Sequence, residues 1–184
     1  MLKFITGNKG KFKEVSAVLA PIKIQRLDVD LEEIQGLDSH KIIRHKLQQA
    51  FKYQKGNFFV DDTSVYYQAL KNKLPGPYMR SFLEVLGPKG LYQTAKKLGS
   101  TKAEMKTFIG YAKSKKQVYF FEGSTKGNIV FPKGSGGFGV DQVFKPLGSS
   151  KTLAELKITA SSKLSPRYKA ASQLKKFLAT QYGL

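Results

Sequence analysis

The stretch Lys3-Phe4-Ile5-Thr6-Gly7-Asn8-Lys9-Gly10-Lys11 predicts a short strand, a tight loop and the start of a helix. Lys3 to Thr6 is short and apolar, which indicates a buried strand. From Lys9 to Leu19 apolar residues recur at helical spacing, and Pro21 follows the end, which predicts a helix. A strand that leads directly into a helix is typical of α/β proteins.

The loop Thr6-Gly7-Asn8-Lys9-Gly10-Lys11 has the composition of an anion-binding turn. The first N–H groups of a helix lack internal partners, and the helix dipole adds partial positive charge there. The glycines let the backbone approach an anion, the lysines supply charge, and the threonine and asparagine supply hydrogen bonds. The spacing is not that of a Walker loop. The loop therefore predicts a phosphate site, with a plain helix cap by Asn8 or Thr6 as the alternative.

Further along the chain, strands and helices alternate and then give way to a run of strands. Strands are predicted over Ile22–Val29, Asn57–Asp61, Ser64–Leu70, Lys106–Ala112, Gln117–Phe121 and Ser124–Phe131, and helices over Ser39–Lys55, Tyr78–Leu86, Gly90–Leu98 and Tyr168–Leu178. No repeat or linker divides the chain, so a single domain over residues 1–184 is expected. The order predicts an α/β (α+β) protein with a mixed β-sheet.

Charge is the most unusual feature of the composition. The 184 residues carry a formal net charge of +19, which favours an anionic partner, although lysines spread along the whole chain do not mark one site. The chain has no cysteine, which excludes thiolate chemistry. With neither a secretory signal nor a membrane-length apolar run, a cytoplasmic location is expected. Of only 13 acidic residues, seven lie between Asp28 and Asp62, a concentration that suggests a cation site.

The acidic pair in Asp61-Asp62-Thr63 follows the predicted strand Asn57–Asp61. Open α/β sheets bind ligands at the ends of their strands. One carboxylate is suited to Mg²⁺ and the other to orienting or deprotonating a water, and Glu32-Glu33 offers a further oxygen ligand. The alternative is an acidic turn exposed to water.

Two later segments offer groups for a ligand. The loop from Gly134 to Gly139 joins flexible backbone to Phe138, whose ring is suited to stacking on a base, or alternatively packs in the core. Ser165-Pro166-Arg167 opens the last helix as a cap and a first-turn proline, and Arg167 can reach an anion.

Taken in order, these motifs resemble the inosine triphosphate pyrophosphatases, which remove aberrant purine nucleotides. The resemblance covers Lys3 to about Leu178. It is carried by Thr6–Lys11, Leu31–Gly36, Val60–Ser64, Leu74–Tyr78, Gly123–Gly127, Phe138–Asp141 and Lys151–Leu156. It implies an elongated two-lobed domain around a long mixed sheet, with a nucleotide cleft between the lobes, and usually a homodimer.

The resemblance also implies an activity: hydrolysis of ITP, dITP and XTP to the monophosphate and pyrophosphate with Mg²⁺, for which Mn²⁺ substitutes. It assigns metal binding to Glu33, Asp61 and Asp62, and catalysis to Asp62, which activates water, and Lys11. The residues that it assigns to the substrate are Thr6, Gly7, Asn8, Lys9, Gly10, Lys11, Lys46, Thr63, Phe138, Gly139, Asp141 and Arg167. Within this set Phe138 stacks on the base, and Asp141 and Arg167 lie near the base edge.

Three departures from the family pattern cluster at the base end. An aromatic residue is replaced by Val140, the histidine of a Ser-His-Arg motif by Pro166, and a lysine by Ser161, with Lys163 two residues later. Since proline offers no hydrogen-bond donor, a weaker or differently built purine preference is expected. Two alternatives stay open: a pyrophosphatase for another nucleotide, and a basic nucleic-acid-binding protein on the same scaffold. No membrane partner is expected.

Overall fold

A computed structural model describes residues 1–137, 139–156 and 163–182 of the chain. Its strands are β1 (Leu2–Ile5), β2 (Ile24–Leu27), β3 (Phe58–Tyr67), β4 (Pro75–Gly76), β5 (Lys102–Ser114), β6 (Gln117–Ile129) and β7 (Phe144–Pro146). Its helices are α1 (Lys9–Leu19), α2 (Ser39–Ala50), α3 (Met79–Lys97) and α4 (Pro166–Tyr182), with 3-10 turns at Gln68–Leu70 and Gly139–Gln142.

The strands form one mixed sheet in the order β2-β1-β3-β5-β6-β7, with β4 beside β3. Strand β1 runs parallel to both β2 and β3, whereas β4 and β7 pair antiparallel with β3 and β6. The predicted α/β (α+β) class with a mixed sheet is confirmed. Among the described residues, no helix is both long and apolar enough to cross a membrane.

The chain folds into two compact units. Unit 1 comprises Met1–Asp62, Thr107–Gly123 and Arg167–Leu184, and unit 2 comprises Thr63–Lys106 and Ser124–Pro166.

Unit 1 is built around the predicted helical faces. In α1 the residues Val15 and Leu19 are buried, and in α4 Leu174 and Leu178 are buried in the same apolar cluster. Helix α2 ends at Ala50 rather than at the predicted Lys55. The physical reason is the return to the sheet: Asn57 is left-handed (φ 58°), and a Cβ on Gly56 would lie 2.4 Å from the Lys113 carbonyl oxygen.

Unit 2 packs α3 against its own apolar cluster, through Met79, Leu91 and Ala95. The helix is interrupted at Gly87, whose φ of 63° and ψ of 174° are not helical, and Pro88 follows it. The predicted break between two helices is therefore confirmed. The two halves adjoin at a kink and are described together as α3.

Two predicted strand breaks are wrong. The acidic pair Asp61-Asp62 was expected to end a strand, but β3 runs through it from Phe58 to Tyr67. Buried Asp61 is tolerated inside the strand because cationic side chains pair with it. Likewise Gly123 was expected to separate two strands, but β6 passes through it without interruption, since glycine weakens a strand without having to end it.

Candidate active site

The loop from Thr6 to Lys11 joins β1 to α1 and is internally hydrogen-bonded. Asn8 Oδ1 accepts from the backbone N–H of Gly10 at 2.9 Å and of Lys11 at 3.0 Å, and it is the N-cap of α1. Thr6 Oγ1 accepts from the N–H of Asn8 at 3.1 Å. The helix-cap interpretation of Asn8 is confirmed. Phosphate binding by this loop stays a prediction, and the capping bonds fix the shape in which it would meet an anion.

Arg26 supports this loop from the neighbouring strand, which sequence reasoning missed. Its Nη1 donates to the carbonyl oxygens of Gly7 at 3.2 Å and Thr6 at 3.4 Å, and its Nη2 lies 2.6 Å from Asp28 Oδ2. The parallel register places Arg26 opposite Phe4, just before the loop. Only that register reveals the contact, so the contact could not be predicted from the sequence.

Asp61 is the centre of a buried ion-pair network. Its Oδ1 lies 3.0 Å from Lys11 Nζ and its Oδ2 accepts from Arg167 Nε at 2.9 Å, while Arg167 Nη1 lies 2.6 Å from Glu14 Oε2. Burial alone would raise the pKa of Asp61, but the charges of Lys11, Arg167 and Lys46 outweigh it and lower the pKa to about 2. This carboxylate is therefore ionised at any ordinary pH.

The network places Arg167 in contact with Asp61 and Glu14. Burial disfavours the charged guanidinium, but Asp61 and Glu14 more than compensate and raise the pKa of Arg167. Sequence reasoning missed Glu14, for which the scarcity of acidic residues was the available signal. The neighbouring Pro166 is the first residue of α4, as the first-turn interpretation predicted.

Lys46, on helix α2, forms a second cationic centre beside the same strand, β3. Its Nζ lies 2.7 Å from Glu33 Oε1 and 3.4 Å from Asp62 Oδ1, and it donates to the Asp61 carbonyl oxygen at 3.2 Å. The residue is only 6% exposed. Burial lowers its pKa, but Asp62 and Glu33 outweigh that effect and raise it above the usual value. Two lysines from different helices thus reach adjacent residues of β3.

The predicted metal set of Glu33, Asp61 and Asp62 is not brought together as a set of three. Within residues 1–137, 139–156 and 163–182, no three acidic or histidine side chains gather as a metal cluster. Neighbouring side chains on a strand point to opposite faces. Asp61 accordingly turns to Lys11 and Arg167, whereas Asp62 shares Lys46 with Glu33.

A divalent cation nevertheless fits the remaining pair. Glu33 and Asp62 already direct one oxygen each at a single cation, the Lys46 ammonium. Mg²⁺ needs only one or two protein carboxylates, because it keeps waters and takes phosphate oxygens. The donor chemistry of this pair therefore suits Mg²⁺, while both oxygens of Asp61 are engaged elsewhere.

The remaining candidates belong to unit 2. Thr63 follows Asp62 on β3, and Gly139 and Asp141 lie in the 3-10 turn Gly139–Gln142. Phe138 and Ser161 lie outside the described residues, Val140 packs against the apolar cluster of unit 2, and Lys163 is exposed.

Close backbone approaches set the form of the glycine-rich loop. A Cβ on Gly134 or Gly136 would lie 2.8 Å from backbone atoms of Ala154, and a Cβ on Gly137 would lie 2.3 Å from Asp141 Oδ2. Thr152 secures the facing segment, since its Oγ1 donates to the Lys133 carbonyl oxygen at 3.0 Å. Glycine is therefore required at these positions because a side chain would collide with neighbouring atoms, and not only because glycine is flexible.

Comparisons with known proteins match nearly the whole chain. The model of the Ham1 family matches residues 2–177. An inosine triphosphate pyrophosphatase of Schizosaccharomyces pombe is 38% identical over 97% of this chain and 95% of its own length. The inosine triphosphate pyrophosphatase 1 of Trypanosoma cruzi is 37% identical over 93% of this chain and 88% of its own.

Solved structures share the fold. A HAM1 protein from Coxiella burnetii has a TM-score of 0.79 and 21% identity, covering 98% of this chain and all (100%) of that one. The Ham1 protein of Staphylococcus aureus has a TM-score of 0.76 and 22% identity, covering 97% of this chain and 99% of that one. At these identities the similarity concerns the fold alone.

Proposed function

The chain belongs to the Ham1 family, and we propose that it hydrolyses non-standard purine nucleoside triphosphates (ITP, dITP and XTP) to the monophosphate and pyrophosphate. Its curated relatives are named for inosine triphosphate pyrophosphatase activity. One structural observation carries the proposal: Lys11 of the loop and Lys46 of α2 contact the adjacent residues Asp61 and Asp62. A lysine thus reaches each residue of the acidic pair of β3, which supports a site that binds a polyphosphate and activates water.

In the proposed reaction a water oxygen forms a bond to the α-phosphorus, and the bond from that phosphorus to the bridging oxygen breaks. Pyrophosphate leaves with that oxygen, and Asp62 accepts the proton of the water. Lys11 and Lys46 offset the charge that builds on the phosphate oxygens. The loop capped by Asn8 positions the triphosphate through its remaining donors and its lysines.

Mg²⁺, for which Mn²⁺ substitutes, would be held by Glu33 and Asp62, and it supplies charge neutralisation of the polyphosphate when bound. The step that this chain performs itself is the positioning and deprotonation of water by Asp62. Asp61 contributes in another way, because its ion pair holds the ammonium of Lys11 in place beside the loop.

We further propose that Phe138, Gly139 and Asp141 recognise the base, as the family resemblance implies. A role of Arg167 at the base edge has to coexist with its ion pairs to Asp61 and Glu14. Thr63 is proposed to line the substrate site. A homodimer, which the family resemblance implies, and a cytoplasmic location are also proposed.

The proposal is tested with a panel of nucleoside triphosphates and Mg²⁺, with pyrophosphate and orthophosphate measured separately. We expect pyrophosphate from ITP, XTP and dITP, with a smaller advantage over ATP and GTP than an intact Ser-His-Arg motif would give. The proposal would be contradicted by orthophosphate as the first product, or by no release of pyrophosphate from any triphosphate. RNA affinity that falls steeply with salt, without hydrolysis, would favour the nucleic-acid alternative.

A further inference from the structure

The ammonium of Lys46 lies where a bound cation would lie. It contacts carboxylates from two separate parts of the chain, Glu33 at 2.7 Å in the segment before α2 and Asp62 at 3.4 Å on β3. A third oxygen, the Asp61 carbonyl, accepts from it at 3.2 Å. A buried cation held by two carboxylates and a carbonyl has the oxygen environment that a hard metal ion also prefers.

We propose that Lys46 is an internal substitute for the metal ion. In the metal-free protein its ammonium neutralises Glu33 and Asp62. When a divalent cation binds this pair, the ammonium is displaced and becomes available to the triphosphate. The inference rests on the proposed function, because it assumes that the same site takes a metal and a polyphosphate.

Charge balance is the physical reason. An ammonium and a divalent cation repel each other, so the two cannot both keep close contacts with the same pair of carboxylates. A buried ammonium is costly without an anionic partner. Lysine carries its charge on a flexible four-carbon stem, so the ammonium can exchange carboxylate oxygens for phosphate oxygens while the helix stays in place.

The pairing also explains how the segment that carries Glu33 is held in the metal-free protein. Residues 28–35 form neither helix nor strand. Asp38 fixes the end of this segment by capping α2, and the contact between Lys46 and Glu33 fixes a point inside it. The lysine thus keeps a metal ligand near its partner Asp62 before any metal arrives.

The first test measures binding of Mn²⁺ without nucleotide, by calorimetry, in the wild type, Lys46→Met and Lys41→Met. Lys41 lies on the same helix and is exposed, so its variant controls for the loss of one charge. We expect Lys46→Met to bind Mn²⁺ about tenfold more tightly than the wild type, which is the increase expected if the ammonium leaves the pair in about a tenth of wild-type molecules. Lys41→Met should match the wild type. Equal or weaker binding by Lys46→Met would overturn the proposal.

A second test follows the wild type and does not need Lys46→Met to fold. Lysine labelled with ¹⁵N is followed by NMR at its side-chain ammonium, and the signal of Lys46 is assigned by its loss in Lys46→Arg. We expect this signal to shift as Mg²⁺ saturates the protein, and a signal that stays unchanged would contradict displacement.

The two proposals fail separately. Metal binding and the NMR titration are measured without nucleotide, so they stand if ITP is not cleaved. Conversely, pyrophosphate release from ITP with an unmoved Lys46 would leave the proposed function intact and remove only this inference. A wild type that binds neither metal would also overturn the inference.

Discussion

The two units use their polar residues in different ways. Unit 1 contains a group of internal charges, since Asp61, Lys46 and Arg167 are buried and pair with one another or with nearby groups. In unit 2 the ion pair between Arg80 and Glu84 lies on the surface of α3, with both side chains largely exposed. Unit 2 instead has a loop in which Gly134 and Gly136 come close to the backbone of Ala154.

This difference suggests a division of labour. Buried charges are expensive and are retained where chemistry or specificity needs them. We therefore propose that the hydrolytic groups lie in unit 1 and that the loop of unit 2 recognises the base. The departures from the family pattern at Val140 and Ser161 fall in unit 2, so activity and base preference should respond to different substitutions.

The largest effect is expected from Asp62→Asn in unit 1. The amide cannot accept the proton of the attacking water, so kcat for ITP should fall by about 10²–10⁴-fold. Asp30→Asn is the matched control, because Asp30 is exposed in the same acidic stretch, and it should keep the wild-type rate. The rate of pyrophosphate release is measured for both variants. An Asp62→Asn protein that keeps its activity would show that Asp62 is not the base.

A pair of arginine variants compares the two units directly. Arg167→Met removes the buried cation that pairs with both Asp61 and Glu14, so the free energy of unfolding in urea should fall by about 3–5 kcal/mol. Arg80→Met breaks an exposed helix pair in unit 2 and should cost less than about 1 kcal/mol. Equal losses would show that the internal network is no stronger than a surface pair.

The acid stability of unit 1 should depend on Asp61. Its folded pKa of about 2 lies below the usual 3.8, so its ionised form stabilises the fold above pH 4. That contribution, about 2 kcal/mol, is lost as the pH falls from about 4 through about 2. Urea unfolding of the wild type and Asp61→Asn should therefore differ more at pH 5 than at pH 2.5. A constant difference would contradict the lowered pKa.

The smallest effect is expected in the glycine-rich loop of unit 2. Gly137 and Gly148 both have positive φ, 70° and 79°, so alanine at either should cost about 1–2 kcal/mol in stability. Only at Gly137 would the new Cβ press on Asp141, whereas nothing lies within 4 Å at Gly148. We expect Gly137→Ala alone to change the ITP-to-ATP ratio of kcat/KM. Equal ITP-to-ATP ratios in both variants would show that Asp141 does not take part in base recognition.

Local patterns predicted much of the fold. Helix α1 has the predicted bounds, and its cap is one of the two residues proposed for it. The break in α3 at Gly87 lies between the two predicted helices, Tyr78–Leu86 and Gly90–Leu98. The continuity of β3 through Asp61 could not be predicted, because its partners Lys11 and Arg167 lie 50 and 106 positions away in sequence.

The site was predictable in part for the same reason. Lys11 was identified from the loop and Lys46 from the family resemblance, and both reach the acidic pair of β3. Arg26 and Glu14 were missed, since their roles depend on strand register and on a helix from the end of the chain. The contact of Lys46 with both Glu33 and Asp62 could likewise not be predicted without interatomic distances.

Hydrolysis in water enriched in ¹⁸O tests the central claim most directly. If water attacks the α-phosphorus of ITP, the label enters the monophosphate and the released pyrophosphate stays unlabelled. Mass spectrometry of both products distinguishes these outcomes. Label in the pyrophosphate, or labelled orthophosphate, would place the attack at another phosphorus and contradict the proposed chemistry of Asp62 and its two lysines.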